Sequence, residues 1–359
     1  MNLTNAQKKI VETKESKVLV SSSAAGGKTT CLVERIRYLL NSGVDPSEIV
    51  AITFTNNAAA EILERLNNPN GIFVSTIHSY CNFLLRGNAI DTTDILNEER
   101  FDDLFEKIKQ NPHCLKHVTH LISDESQDVS KQQFDFYEMI NPDNFMYFFD
   151  IKQTLFKWRD ADPDYLIELS HQSDVTVYTM HENFRNLPDI LRFAKKFLYR
   201  LGTNYEDDSI AMRRPTDGYN YHVLEGNYTP SEAVESLLMQ NDRIKGDWKD
   251  WFVLCRTNAD VNLFKSLFEE KNIPTDTFKQ SDLTNAQIKD KMKENTIKIL
   301  TVHSAKGLAA PYVLSYNIRA YNDDESLVCY VSATRAKDFL IWAKMPPKKK
   351  KKSRVVSWE

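Results

Sequence analysis

The residues from Val18 to Thr30, VLVSSSAAGGKTT, join a β-branched apolar run to small residues and then to Gly27, Lys28 and Thr29. This order predicts a buried strand, a tight loop and the start of a helix, whose free backbone N–H groups point at one place. Such a place suits a phosphate, which Lys28 would reach as a point charge while the Thr29 hydroxyl held Mg²⁺. Ser22 stands where the pattern GxxxxGK[ST] begins with glycine. Alone, the motif is therefore also compatible with a flexible turn and an exposed lysine.

A pair of adjacent carboxylates, Asp124 and Glu125, follows the apolar residues Leu121 and Ile122. Two carboxylates at the end of a buried strand are unfavourable unless a positive charge faces them. Bound Mg²⁺ would supply that charge, with Asp124 holding the metal and Glu125 taking a proton from an attacking water. A solvated acidic turn is the alternative interpretation of the same residues.

Apolar stretches that alternate with segments of helical periodicity must position these groups. The stretches that we predict as further strands are Ile49–Phe54, Ile72–Ile77, Val175–Met180, Trp251–Arg256 and Ile297–Val302. Strands joined by helices predict an α/β fold with doubly wound parallel sheets and ligand sites at the strand ends.

Length and composition restrict the class of protein. The 359 residues suggest two or three domains, and no apolar run approaches the length of a bilayer span, so we expect no membrane association. The five cysteines are scattered, which predicts reduced thiols and a cytoplasmic location. The net charge of −4 argues against coating nucleic acid through bulk charge but permits a local basic track.

Short segments elsewhere in the chain accompany the phosphate-loop pattern in a fixed order. They are LTNAQ, AITFTNNAAAEI, STIHSYCNFLLR, ISDESQD, FFDIKQTLFKWRDAD, HENFRN, VLCRTN, TVHSAKGL and YVSATRAK. In type and order they resemble the motifs of the UvrD/Rep/PcrA family of superfamily-one DNA helicases, and the likeness extends from residue 3 to residue 337.

The resemblance implies two RecA-like P-loop NTPase domains, at residues 1–178 and 179–345, with ATP and Mg²⁺ in the cleft between them. It implies a small helical insert near residues 88–118, while residues 346–359 form a basic tail that we expect to be disordered. The run Lys348–Lys352 in this tail could add DNA affinity, and it also resembles a nuclear import signal. The location would be near the nucleoid in a bacterial or phage context and nuclear in a eukaryotic host.

The resemblance also assigns roles to individual residues. For catalysis it implicates Lys28, Glu125, Gln153, Arg185 and Arg335. For nucleotide binding it implicates Gln7, Ala25, Gly26, Gly27, Lys28, Thr29, Thr30, Asp150 and Gly307, with Thr29 and Asp124 at the metal. For contact with single-stranded or tailed duplex DNA it implicates Phe54, Thr76, His78, Trp158, Arg159 and His303.

The chain departs from the family pattern at several positions. Ala309 and Ala310 follow Gly307 and Leu308, where family members carry an acidic and an aromatic residue. An acidic side chain would accept hydrogen bonds from the ribose, so alanine predicts weaker nucleotide binding. The connections that hold large insertions in the family are also short.

Three functions follow from this sequence. We expect an ATP-dependent translocase or helicase, moving 3′ to 5′ by resemblance to the family. A nucleotide-gated module that binds DNA or recruits a partner is the main alternative. A translocase that needs a protein partner to separate strands is the third.

Overall fold

The computed structural model describes residues 3–155, 160–216 and 222–346. Over these ranges the chain forms two parallel sheets of six strands each, with helices packed on them. The predicted α/β class with two RecA-like domains is confirmed.

The first sheet is built from the strands of the phosphate-loop half of the chain. Within the described ranges they are β1 (Lys17–Ser22), β2 (Ile49–Thr53), β3 (Phe73–Thr76), β4 (His120–Ser123), β5 (Asn144–Phe149) and β6 (Thr176–Met180). Their order across the sheet is β3-β2-β4-β5-β1-β6, and every pairing is parallel. Because β2 is buried along its whole length, its residues form a continuous apolar run instead of an alternating one.

Helices cover both faces of this sheet. They are α1 (Asn5–Glu12), α2 (Lys28–Asn41), α3 (Asn56–Arg65), α4 (Ile77–Gly87), α5 (Thr93–Asn97), α6 (Asp103–Gln110), α7 (Lys131–Ile140) and α8 (Pro163–Ser170). Side-chain caps determine where two helices that carry predicted site residues begin. Thr4 and Gln7 form a capping box on α1, and Thr76 caps α4. The cap at Thr76 ends β3, so Ile77, predicted as a strand residue, already belongs to the helix. Helices α5 and α6 occupy the predicted insert near residues 88–118.

The junction between the halves lies just beyond β6. Val18 of β1 pairs with Thr176, and Ser22 pairs with Met180. The predicted boundary at residue 178 falls inside this strand, so the first sheet extends to Met180. The sequence predicted a strand over Val175–Met180 but not the sheet that it joins, because that depends on its partner strand.

The second sheet has the same parallel arrangement. Among the described residues its strands are β9 (Val223–Asn227), β10 (Trp251–Cys255), β11 (Thr275–Asp276), β12 (Ile297–Thr301), β13 (Ala310–Tyr316) and β14 (Ala336–Lys344), in the order β11-β12-β10-β13-β14-β9. A separate ribbon pairs β7 (Glu182–Asn183) with β8 (Ile210–Ala211). The helices of this half are α9 (Pro188–Lys195), α10 (Pro230–Ile244), α11 (Asn258–Glu269), α12 (Asn285–Lys293) and α13 (Asp323–Ala333).

The two halves contact each other away from their sheets as well. Asn57 Nδ2 at the start of α3 donates a 2.8 Å hydrogen bond to the Leu283 carbonyl, just before α12. Lys289 on α12 forms a 2.7 Å ion pair with Glu64 on α3. None of the helices in the described ranges combines the length and apolar character that crossing a membrane requires.

Candidate nucleotide site at the domain interface

The phosphate loop links β1 to α2 through two residues in the left-handed region, Ala25 at φ 60° and Gly27 at φ 91°. A Cβ atom on Gly27 would lie 2.7 Å from Gln7 Nε2, and one on Gly26 would lie 2.2 Å from Ser22 Oγ. Gln7 Nε2 also donates to the Gly26 carbonyl at 3.2 Å. The loop is therefore a tight cradle against α1 that only glycine permits at residue 27.

Lys28 begins α2 and is buried among acidic side chains. Burial by itself lowers the pKa of its ammonium, but the carboxylates of Glu125, Asp150 and Asp124 outweigh that effect and raise the pKa overall. The charged form of the Lys28 side chain is therefore favoured beside the loop. Thr30, two residues farther along α2, accepts a 3.0 Å hydrogen bond from Arg65 Nη2 on α3.

The two carboxylates that follow β4 face the start of α2. Thr29 Oγ1 donates a 3.2 Å hydrogen bond to Asp124 Oδ2. Burial and the neighbouring Glu125 raise the pKa of Asp124. The backbone of Glu125 lies in the left-handed region, with φ 52°. Burial opposes ionisation of its carboxyl group, but Lys28 and Lys306 outweigh burial and lower its pKa.

The hydroxyl of Thr29 and the carboxylate of Asp124 suit a Mg²⁺ ion that is also bound by phosphates. A threonine hydroxyl and a carboxylate are the hard oxygen ligands that this ion prefers, and it commonly takes the rest from phosphate and water. In the described part of the chain no three His, Cys, Asp or Glu side chains group so as to hold a metal by themselves. Thr29 and Asp124 supply two of the oxygen atoms that such an ion would need.

Residues after β5 connect this group to the second domain. Gln153 Nε2 donates to Asp150 Oδ2 at 2.6 Å, and Gln153 Oε1 accepts from Arg335 Nη2 at 3.1 Å. Arg335 is fully buried in the turn just before β14, and burial together with Arg185 lowers its pKa to about 9. The predicted residues Asp150, Gln153 and Arg335 thus form one chain of contacts across the cleft.

Arg185 approaches the same cleft from the segment that follows β7. Its backbone N–H donates to Asn183 Oδ1 at 3.0 Å, and Asn183 Nδ2 donates to the Ala24 carbonyl of the phosphate loop at 3.0 Å. Burial lowers the pKa of Arg185. The structure therefore brings both predicted arginines to the face that carries Lys28.

Three of the residues predicted to bind DNA lie beside Asp124 and Glu125. Phe54, Thr76 and His78 line the same recess as Asp124 and Glu125. The His78 ring lies 5.6 Å from that of Phe101, its Nε2 atom is 3.5 Å from Asp102 Oδ1, and burial lowers its pKa.

His303 lies in the second domain, after β12, where it contacts the backbone of Leu155 and where burial lowers its pKa. Gly307, in the same connection, has φ 83°. Trp158 and Arg159, also predicted to contact DNA, lie outside the described residues, as does the lysine run of the tail.

Two models of known protein families match the chain. The model of the UvrD/REP helicase N-terminal domain matches residues 3–112 and 88–174, and that of the UvrD-like helicase C-terminal domain matches residues 178–290. The chain belongs to the UvrD-like helicase family. This confirms the resemblance drawn from the motifs.

Curated relatives of this UvrD-like chain include two staphylococcal proteins named ATP-dependent DNA helicase PcrA. The protein of Staphylococcus epidermidis strain ATCC 35984 is 24% identical over 367 residues, and that of Staphylococcus aureus strain Mu50 is 25% identical over 379 residues. Each match covers 76% of the chain and 50% of the relative. The UvrD-like chain therefore spans about half the length of the curated relatives it matches.

Several residues of this UvrD-like site were not predicted. Lys306 and Asp128 form an ion pair between the domains, and both lie in segments that carry the family resemblance. Burial raises the pKa of Asp128 to about 6, although Lys306 opposes the shift. Asp207 accepts hydrogen bonds from Ser23 Oγ at 2.7 Å and from the Tyr330 hydroxyl at 2.8 Å. No motif marks Asp207.

Proposed function

We propose that this UvrD-like chain hydrolyses ATP and uses the energy to move along single-stranded DNA from 3′ to 5′, as part of DNA repair or replication. The observation that carries the proposal is the contact of Arg335, in the second domain, with Gln153, beside the phosphate loop and carboxylates of the first. A site completed by two domains makes hydrolysis sensitive to their separation. Changes in that separation would move the DNA-binding surfaces relative to each other.

Each residue of the first domain has a role that its environment suits. Thr29 and Asp124 would hold Mg²⁺, which when bound neutralises phosphate charge and orients the terminal phosphate. Lys28 stays charged and would bind the terminal phosphates. The ionised Glu125 would orient the attacking water and accept its proton.

The arginines from the second domain would complete the reaction site. The planar fork of a guanidinium holds two phosphate oxygens, and Arg185 and Arg335 both reach the cleft. They would stabilise the charge that develops on the transferred phosphoryl group. Gln153 would report the state of the nucleotide to the second domain.

DNA would cross the carboxyl ends of the strands of both domains. Phe54, Thr76 and His78 would contact it from the first domain and His303 from the second, together with Trp158 and Arg159. An aromatic ring on which an unstacked base rests contributes roughly 1–3 kcal/mol per base. The location would be the cytoplasm, and a protein partner would supply any strand-separating element.

Ala309 favours a second candidate function, a nucleotide-gated module that binds DNA with little turnover. The alanine methyl group cannot accept the ribose hydrogen bonds that an acidic residue would. Weak binding of nucleotide would then limit turnover and leave the chain a binding role.

ATPase assays with and without single-stranded DNA, followed by strand displacement on a tailed duplex, separate these functions. We expect turnover that requires Mg²⁺, rises with DNA and is lost in Lys28→Ala, with Lys289→Ala as the matched control. Stimulation without displacement indicates a translocase that needs a partner. A wild-type chain that binds both ligands but never turns over ATP contradicts the enzymatic proposal.

A further inference from the structure

Lys306 in the second domain forms an ion pair with Asp128 in the first. The Asp128 side chain is 0% exposed and that of Lys306 is 12% exposed. The other ion pair described above between the domains, Lys289 with Glu64, has side chains 54% and 64% exposed. Two buried charges are costly to separate, whereas an exposed pair contributes little. The Lys306–Asp128 pair is therefore sensitive to domain separation.

Asp128 belongs to the same turn as Glu125. Its backbone N–H donates to the Glu125 carbonyl at 3.0 Å, and Gln127 Nε2 donates to Glu125 Oε2 at 2.5 Å. One carboxylate oxygen of Asp128 is buried and accepts no hydrogen bond from any described residue, so Lys306 provides its main compensation. Loss of Lys306 would leave an uncompensated charge inside the turn that holds Glu125.

Lys306 also faces the predicted DNA track. Its Nζ atom lies 5.9 Å from the centroid of the Phe54 ring, within the range of a cation–π interaction. Phe54 and Glu125 line one recess. One ammonium thus contacts an aromatic ring of the DNA track and a carboxylate of the catalytic turn.

We propose that Lys306 is a positioning residue that couples occupancy of the DNA track at Phe54 to the placement of Glu125, acting through Asp128. The proposal rests on the proposed ATPase function and adds a specific path for its stimulation by DNA. A DNA strand bound against Phe54 holds the aliphatic part of the Lys306 side chain in place. Lys306 then holds Asp128, and the turn keeps Glu125 aimed at the cleft.

The test compares Lys306→Met, Lys306→Arg, Asp128→Asn and the double variant Lys306→Met/Asp128→Asn with wild type. Lys289→Met is the matched control, because it removes an exposed ion pair between the same domains. Steady-state kinetics are measured with and without an oligothymidine strand, and the Kd for a non-hydrolysable ATP analogue is measured by titration. Thermal unfolding of each variant reports whether the fold is retained.

In Lys306→Met we expect the ratio of DNA-stimulated to unstimulated kcat to fall by roughly 5- to 150-fold, the usual size of coupling between two sites. The Kd for the analogue should change by less than about twofold, and Lys306→Arg should recover much of the stimulation because it keeps the charge. The double variant should lose no more stimulation than Lys306→Met, because both changes break one interaction.

Stimulation retained in Lys306→Met, or lost equally in Lys289→Met, overturns the proposal. So does a loss of analogue binding in Lys306→Met equal to its loss of stimulation, because that pattern indicates general damage to the site. A wild-type chain without stimulation refutes the proposed function and this inference together. A stimulated wild type with a stimulated Lys306→Met refutes this inference alone.

Discussion

Arg335 Nη2 and Gln153 Oε1 are joined by a 3.1 Å hydrogen bond although 182 positions separate the two residues. Both side chains are buried. Gln153 also donates to Asp150, so the bond extends from the second domain into the first. The candidate site is therefore complete only when the two domains are in contact.

Removal of the Arg335 side chain should reduce turnover strongly. We expect Arg335→Ala to lower kcat on the order of 10³-fold, as for an arginine that stabilises phosphoryl-transfer charge. Arg335→Lys should recover little, because a lysine lacks the planar fork. Arg200→Ala, which removes contacts to Ala320 and Ser326, is the control. Equal losses in the two alanine variants would contradict a specific role.

The backbone of Gly27 leads to a second prediction. Gly27 has a left-handed φ of 91°, which strains any residue with a side chain. A Cβ atom at this position would also lie 2.7 Å from Gln7 Nε2. Gly27→Ala should therefore distort the phosphate loop and abolish binding of a fluorescent ATP analogue. Gly87→Ala, at a position with open space around the new Cβ, should bind normally. Normal binding by Gly27→Ala would show that the loop does not hold the phosphates.

Ala309 provides a third prediction. An acidic residue there would accept hydrogen bonds from the ribose, each worth roughly 1–3 kcal/mol when the acceptor is charged. Ala309→Glu should therefore tighten binding of an ATP analogue in isothermal titration, and Ala309→Gln should tighten it less. Unchanged affinity in Ala309→Glu would contradict the assignment of this position to the ribose.

The environment of Asp207 predicts a pH dependence of stability. Burial alone would raise its pKa, but Lys152 and the hydrogen bonds from Ser209 and Ser23 lower the pKa below its ordinary value. The ionised form is thus favoured in the folded chain, and its stabilisation is present above an unfolded-state pKa of about 3.9. It should be lost as the pH falls through the lower folded-state value.

Urea unfolding at a series of pH values from about 3 to about 7 measures this effect. We expect Asp207→Asn to be less stable than wild type at neutral pH and to lose less stability on acidification. Asp242→Asn, at an exposed position on α10, should follow the wild-type curve. Identical pH dependence in Asp207→Asn and wild type would contradict the prediction.

The sequence by itself determined the fold class and the first-domain half of the candidate site. Buried strands are recognisable from local apolar runs, and the loop from Gly27 to Thr29 from its glycine and helix start. The carboxyl ends of parallel strands meet at one edge, so Thr29 and Asp124 were expected to meet, and they lie 3.2 Å apart. The strand that ends at Met180 was predicted as well, but its membership of the first sheet was not, because strand pairing is not a local property.

Only the tertiary structure decided which charges meet across the domains. Lys306 and Asp128 were visible in the sequence as separate members of two motifs, and Asp207 belonged to none. Their contacts join residues far apart in the chain through the relative orientation of two domains. No local pattern encodes that orientation, since it depends on how the two surfaces pack as a whole.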